Sequence, residues 1–198
     1  YYDVPRGISL IELKERIGIS LPYPVVAAHV NYKAENLDFL LYKPKDVEFL
    51  DASTPSGIRC YTRTLNMILA CAIHELYPQA DLRVEHPISK GYYCTLQWKK
   101  DHEQTLTADM ISAIKERMHQ IIREDRKIFE EEKQTKEVIK MFGSHADGES
   151  TIFETLGNPY CRYFRMGDFI DYYTSVLMPS SGYVSVFDLE PYYDGMLL

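Results

Sequence analysis

The chain lacks a C-x-x-C pair, an apolar run of membrane-spanning length, and an excess of positive charge. Each absence excludes something. Its four cysteines, Cys60, Cys71, Cys94 and Cys161, are scattered, whereas a disulfide scaffold is denser, so reduced thiols of a cytoplasmic protein are expected. Without a spanning segment or a signal-peptide pattern at the start, no membrane partner is expected. A net charge of −7 argues against broad electrostatic attachment to nucleic acid and leaves only a local basic patch open. What is present is ordinary for a globular protein: 198 residues, 45% of them apolar, enough for one large domain or two small ones. Tyrosine alone stands out, at 16 residues, and rings with a polar tip often line interfaces or pockets.

Along the chain, "GISLIELKERIGI" (7–19) carries Ser9 with Glu12 three residues on, the capping-box pattern, and Gly18 where a helix C-cap belongs. Strands are expected at 25–31 and 46–51, and Tyr1 to Val4 are expected to form the second strand of a hairpin. A capped helix among strands within about sixty residues suggests a small α+β unit. Residues 52–60, "ASTPSGIRC", are turn-rich and read as a boundary. The run 61–78, "YTRTLNMILACAIHELYP", then places Leu65, Ile68, Leu69, Ala72, Ile73 and Leu76 on one helical stripe, and Pro78 ends it. Strands follow within 81–98, with Gly91 as a hinge. A long amphipathic helix begins near Thr107, and the mixed charges of "KERMHQIIREDRKIFEEEK" read as its exposed face. A short helix at 134–142 and a β-like aromatic tail complete the pattern.

Candidate chemistry is thin. "GSHADGES" (143–150) approaches the phosphate loop G-x-x-x-x-G-K-[ST], but Glu149 occupies the lysine position, where a carboxylate repels phosphate. The six histidines, His29, His74, His86, His102, His119 and His145, include no i, i+4 pair of metal ligands. His86 with Cys94 is the one thiol–imidazole pairing on offer for a hydrolase. Arg63, Arg83, Lys90, Lys99 and Lys100, with Tyr92 and Tyr93 among them, form a loose cluster of the kind that single-stranded RNA needs. On the helix 61–78, Arg63 and Met67 lie one turn apart, where a chemical site would want carboxylates, histidines or a thiolate.

The order of these segments resembles a known arrangement. Residues 1–58 resemble a TGS domain, the small ubiquitin-like β-grasp unit at the start of threonyl-tRNA synthetases. Residues 59–198 look like the domain that follows it there, shared with alanyl-tRNA synthetases and their editing relatives. The likeness runs through "PSGIRCYTRTLNMILACAIHELYPQADLR", "ISKGYYC" and "LTADMISAIKERMHQIIRED". It implies an α+β fold in which a long helix packs on an antiparallel sheet. The editing family carries H-x-x-x-H on the first helix and C-x-x-x-H near the end. Anchored on Pro78, the two histidines correspond to Arg63 and Met67. Anchored on Asp171 and Pro179, the second motif falls on Tyr173 and Leu177. An arginine cannot release its proton to bind a metal, and leucine has no lone pair. No catalytic residue and no metal are therefore expected, and Arg63, Met67, Lys90, Tyr93, Tyr173 and Leu177 are the candidate lining of a degenerate ligand cleft.

The details "HPISKGYYC", "DYYTSVLMPSSGYVSVFDL" and "YYDGMLL" further resemble the N-terminal region of a bacterial uridine kinase-like nucleoside kinase, with "YYDG" as the junction to a P-loop kinase domain. That resemblance implies a non-catalytic accessory module docked on a kinase domain of the same polypeptide, with a nucleoside or RNA as its own ligand. No cofactor is expected in this chain, ATP and magnesium belonging to the kinase domain. The alternative is an RNA module that grips a tRNA acceptor end around Arg63, Lys90, Tyr93 and Tyr173.

Overall fold

A computed structural model of the protein describes residues 1–99, 102, 104–142 and 158–198, in a mixed α+β arrangement of antiparallel sheets and a few helices. Residues 1–5 form no strand. Pro5 and left-handed Gly7 (φ 83°) turn the chain first, and pairing starts only at β1 (Ile8–Ser9). Helix α1 (Leu10–Ile17) has the expected box: the Glu12 amide donates to the Ser9 hydroxyl at 3.2 Å, and the Ser9 amide donates to the Glu12 carboxylate at 2.9 Å. Gly18 ends it at φ 63°, a conformation cheap only for glycine. Strands β2 (Val25–Val30), β3 (Lys33–Glu35), β4 (Leu40–Leu41) and β5 (Val47–Asp51) follow. β4 pairs with β1, and the second sheet has the order β3-β2-β5. Leu10 and Leu13 pack into its core with Val25, Ala28 and Leu37.

Helix α2 (Pro55–Leu76) begins within the stretch read from sequence as turn-rich. Thr54 caps it, accepting from the Gly57 amide at 3.0 Å, and Pro55 sits at the first helical position, where its missing N–H costs nothing. A Cβ on Gly57 would overlap the Asp51 carbonyl, so the helix can start this close to β5 only with glycine there.

Strands β6 (Ala80–Ile88) and β7 (Gly91–Trp98) form a hairpin whose two-residue turn is Ser89–Lys90, with Ser89 at φ 54°. Gly91 is thus no hinge but the first residue of a strand. Its missing Cβ lets the Leu198 carbonyl approach. Helix α3 (Ala108–Arg123) is capped by Thr107 and stops well before the end of the charged stretch assigned to it. Asp125, at φ 48°, turns the chain into β8 (Ile128–Gln134). Lys115 to Arg123 of that stretch do lie on the helix, whereas its last glutamates form a cross-strand ladder: Arg162 meets Glu130 at 3.1 Å and Arg165 meets Glu131 at 2.6 Å. Helix α4 (Thr135–Phe142), β9 (Tyr160–Met166), β10 (Phe169–Asp171), β11 (Glu190–Tyr192) and β12 (Gly195–Leu197) complete the order. The two further sheets run β10-β9-β8 and β11-β12-β7-β6. The near-loop at 143–150 lies outside the described residues.

One core joins the two parts of the chain. Ile68, Leu69 and Ala72 of α2 pack with Ile114 and Met118 of α3, with Cys94 and Met196 of the last sheet, and with Val26, Ala27 and Leu50 of the sheet β3-β2-β5.

Candidate functional site

The first half of α2 faces the segment 171–178, the two places where the synthetase-like motifs fall. Their contact is closed by hydrogen bonds and apolar packing. Thr64, fully buried, donates to the Cys60 carbonyl at 3.0 Å and accepts from the Met178 amide at 2.9 Å. Half-buried Arg63 directs Nε and Nη2 at the Val176 carbonyl, at 3.1 and 3.0 Å. Burial draws its pKa down, yet a guanidinium remains a charged donor. Met67 and Leu177 are core residues, 0% and 1% exposed, in the same apolar cluster. The Tyr173 ring meets Phe164 edge-on at 6.1 Å. Beside it, burial pushes the Asp171 carboxyl up to about 6, against the opposing bonds from Tyr173 and from the Tyr172 amide.

Lys90 and Tyr93 stand apart, on the β6–β7 hairpin. Lys90 is exposed in the turn, and the Tyr93 hydroxyl bonds the Asp194 carboxylate, which pushes the phenol up to about 12. A space of about 470 Å³ lies between β3, β8, β9 and residues 172–176, and of the six candidate residues only Tyr173 lines it. Its Glu35, Glu130 and Glu132 outnumber Lys33 and Arg162, so it disfavours an anionic ligand. Among the described residues no group of three or more His, Cys, Asp or Glu could hold a metal ion.

The thiol–imidazole pairing fails on geometry. Neighbouring residues of a strand point to opposite faces. Cys94 lies inside the core at 0% exposure, its thiol directed at the Tyr92 carbonyl and pushed up to about 12 by burial. His86 pairs in register with Tyr93 and lies against that ring at 5.4 Å on the other face. The "YYDG" segment forms the turn between β11 and β12, and β12 pairs with β7 in the body of the sheet.

Sequence reasoning missed Tyr61. Its hydroxyl donates to the Val186 carbonyl at 2.6 Å and accepts from the Ser185 and Val186 amides, pinning the irregular tail to α2. It also missed the ring row of His86, Tyr93, Tyr192 and Tyr193, though "YYDG" carried a signal: Asp-Gly is a hairpin-turn pair.

No family model matches the chain. It is similar to threonine–tRNA ligases of Clostridium kluyveri (27% identity over 182 residues, 91% of the chain), Geobacter sp. strain M21 (25% over 187 residues, 94%) and Clostridium perfringens (24% over 169 residues, 85%). The chain spans only 28%, 29% and 26% of the length of these curated relatives. The similarity supports the synthetase-like part of the resemblance. None of these relatives is a nucleoside kinase. No described helix is long and apolar enough to cross a membrane.

Proposed function

We propose that the chain is a non-catalytic RNA-binding module that engages the acceptor end of a tRNA and performs no editing chemistry. One observation carries this reading. Where the editing motifs of the resembled family place their ligands, Met67 and Leu177 are core, and Arg63 is committed to a backbone carbonyl. Of the four motif positions only Tyr173 keeps an ionisable hydroxyl, and no histidine or thiol stands beside it at the other three. The threonine–tRNA ligase relatives supply the choice of tRNA. An accessory role beside a nucleoside kinase rests on sequence resemblance alone and draws no support from these relatives.

The test is a titration of the whole chain with fluorescently labelled tRNA at about 50 and about 200 mM salt. Expected is binding that weakens on raising salt, because each phosphate contact releases counterions. The same protein is expected to leave the hydrolysis of a mischarged aminoacyl-tRNA unaccelerated. Salt-insensitive binding, or none at low salt, overturns the RNA reading. Accelerated deacylation overturns the non-catalytic one.

A further inference from the structure

The outward face of the sheet β11-β12-β7-β6 carries a row of aromatic rings that the fold does not account for. Ring centroids run His86 to Tyr93 at 5.4 Å, Tyr93 to Tyr192 at 5.9 Å and Tyr192 to Tyr193 at 4.6 Å. The row ends in solvent, with Tyr193 at 89% exposure. Tyr193 occupies a left-handed position, φ 50°, in the two-residue turn Tyr193–Asp194. Such positions favour glycine, asparagine and aspartate, and another residue there costs about 1 kcal/mol of strain. An exposed ring returns little burial to offset that, so stability does not explain a tyrosine here.

The charges around the row balance. Asp194 and Glu85 stay negative but are each held by a hydroxyl: Asp194 accepts from the Tyr93 hydroxyl, and Glu85 accepts from the Thr95 hydroxyl at 2.7 Å. Arg83 and Lys90, on the same hairpin, have no carboxylate partner among the described residues. Arg83 donates only to the Gln97 side-chain oxygen. Exposed rings beside uncommitted cations are what an unpaired nucleic-acid strand requires, since every base offers a face for stacking while the backbone seeks positive charge.

We propose that this row, open at Tyr193 and Tyr192 and with Arg83 and Lys90 on the hairpin that carries its other end, is a stacking platform for the single-stranded 3′ end of the bound RNA. It rests on the RNA-binding reading above and locates the contact away from the closed α2 face. The probes are an intact tRNA and a single-stranded oligoribonucleotide ending in CCA, both fluorescein-labelled and titrated with the whole chain by anisotropy. Tyr193→Asn is the informative variant, because asparagine suits the left-handed turn and leaves the melting temperature unchanged or higher. It is expected to weaken binding of both RNAs by roughly tenfold, the loss of one stacked base. Tyr193→Trp keeps a ring and is expected to bind within about twofold of the parent. Lys90→Ala is expected to flatten the log–log salt slope by about 0.7, one single-strand phosphate contact. Tyr32→Ala removes an equally exposed tyrosine from a turn outside the row and is expected to change nothing. If Tyr193→Asn binds tRNA as tightly as the parent, the platform is overturned while the RNA reading survives. If the parent binds neither RNA, both fall. If Tyr193→Asn instead dissolves self-association and leaves RNA affinity unchanged, the row is a contact between copies, and the platform is overturned.

Discussion

Cysteine shows at the residue scale how far burial decides chemistry here. None of the four is disulfide-bonded. Burial pushes the thiols of Cys60, Cys71 and Cys94 up to about 12, and for Cys71 the neighbouring Glu75 carboxylate adds to the effect. Cys161 is partly exposed and raised by a smaller burial. Only thiolates react quickly, so at about pH 8 a maleimide is expected to modify Cys161 first and the other three only after unfolding in urea. Mass spectrometry of the modified peptides checks this, and early labelling of Cys94 would reopen the pairing with His86. The sign of the pH effect follows. Folded thiols that ionise above the ordinary value of 9.0 contribute stability that is complete below pH 9 and declines as the pH rises beyond it. Scattered spacing led to the expectation that these thiols are unpaired. It could not show which are buried, because exposure is set by strand register and by what lies across the core.

At the scale of elements, local signals were legible and long-range ones were not. The Ser9–Glu12 box, Gly18 and Thr107 were readable because a cap is written within four residues of the helix end it serves. Thr54–Pro55 is an equally local start signal, overlooked because Ser53, Pro55 and Gly57 together look like a turn. β8 was misread for another reason. Its three glutamates suit an exposed helix until Arg162 and Arg165, some thirty residues on, are placed beside them. The tail 172–189 looked β-like but has little regular structure, because side chains satisfy its backbone. The Asp125 carboxylate accepts from the Gly182 amide at 3.0 Å and from the Ser180 hydroxyl, while buried Ser181 bonds the Ile121 carbonyl at 2.7 Å. A Cβ on Gly182 would overlap that carboxylate. Gly182→Ala is therefore expected to destabilise by about 2 kcal/mol in urea unfolding, because the displaced carboxylate loses its bonds to Gly182 and Ser180. Gly167→Ala supplies the comparison. There φ is 63° with open space around it, so only backbone strain of about 1 kcal/mol is at stake. Equal losses in the two variants would refute the carboxylate clamp.

For the whole molecule, an apolar core joins the two parts and a polar network ties the helices of the second. In the shared core, Val26, Ala27 and Leu50 of the sheet β3-β2-β5 pack with residues of α2. The polar network lies at the far end of the helices. Glu75 of α2 meets Arg117 of α3 at 2.6 Å and Arg126 beyond it at 2.5 Å, while Glu124 meets Arg126 at 2.6 Å and Arg117 at 3.0 Å. A single surface pair contributes little, but here two carboxylates share two arginines that are mostly buried. Burial alone would raise the Glu75 carboxyl, yet the bonds from Arg126 and Arg117 outweigh it and hold the group below its ordinary 4.5. A carboxyl depressed in the folded state contributes stability that is present above the unfolded value and lost as pH falls through the folded one. Glu75→Gln is thus expected to lower stability by roughly 1–2 kcal/mol at pH 7, since it leaves Arg126 short of a charge partner. The deficit should shrink as the pH is lowered from about 4.5 and the parent protein loses the same charge. Urea titrations of both proteins at pH 7 and near pH 3 measure it. A deficit that persists unchanged in acid would mean that the side chain's packing, and not its charge, ties α2 to α3.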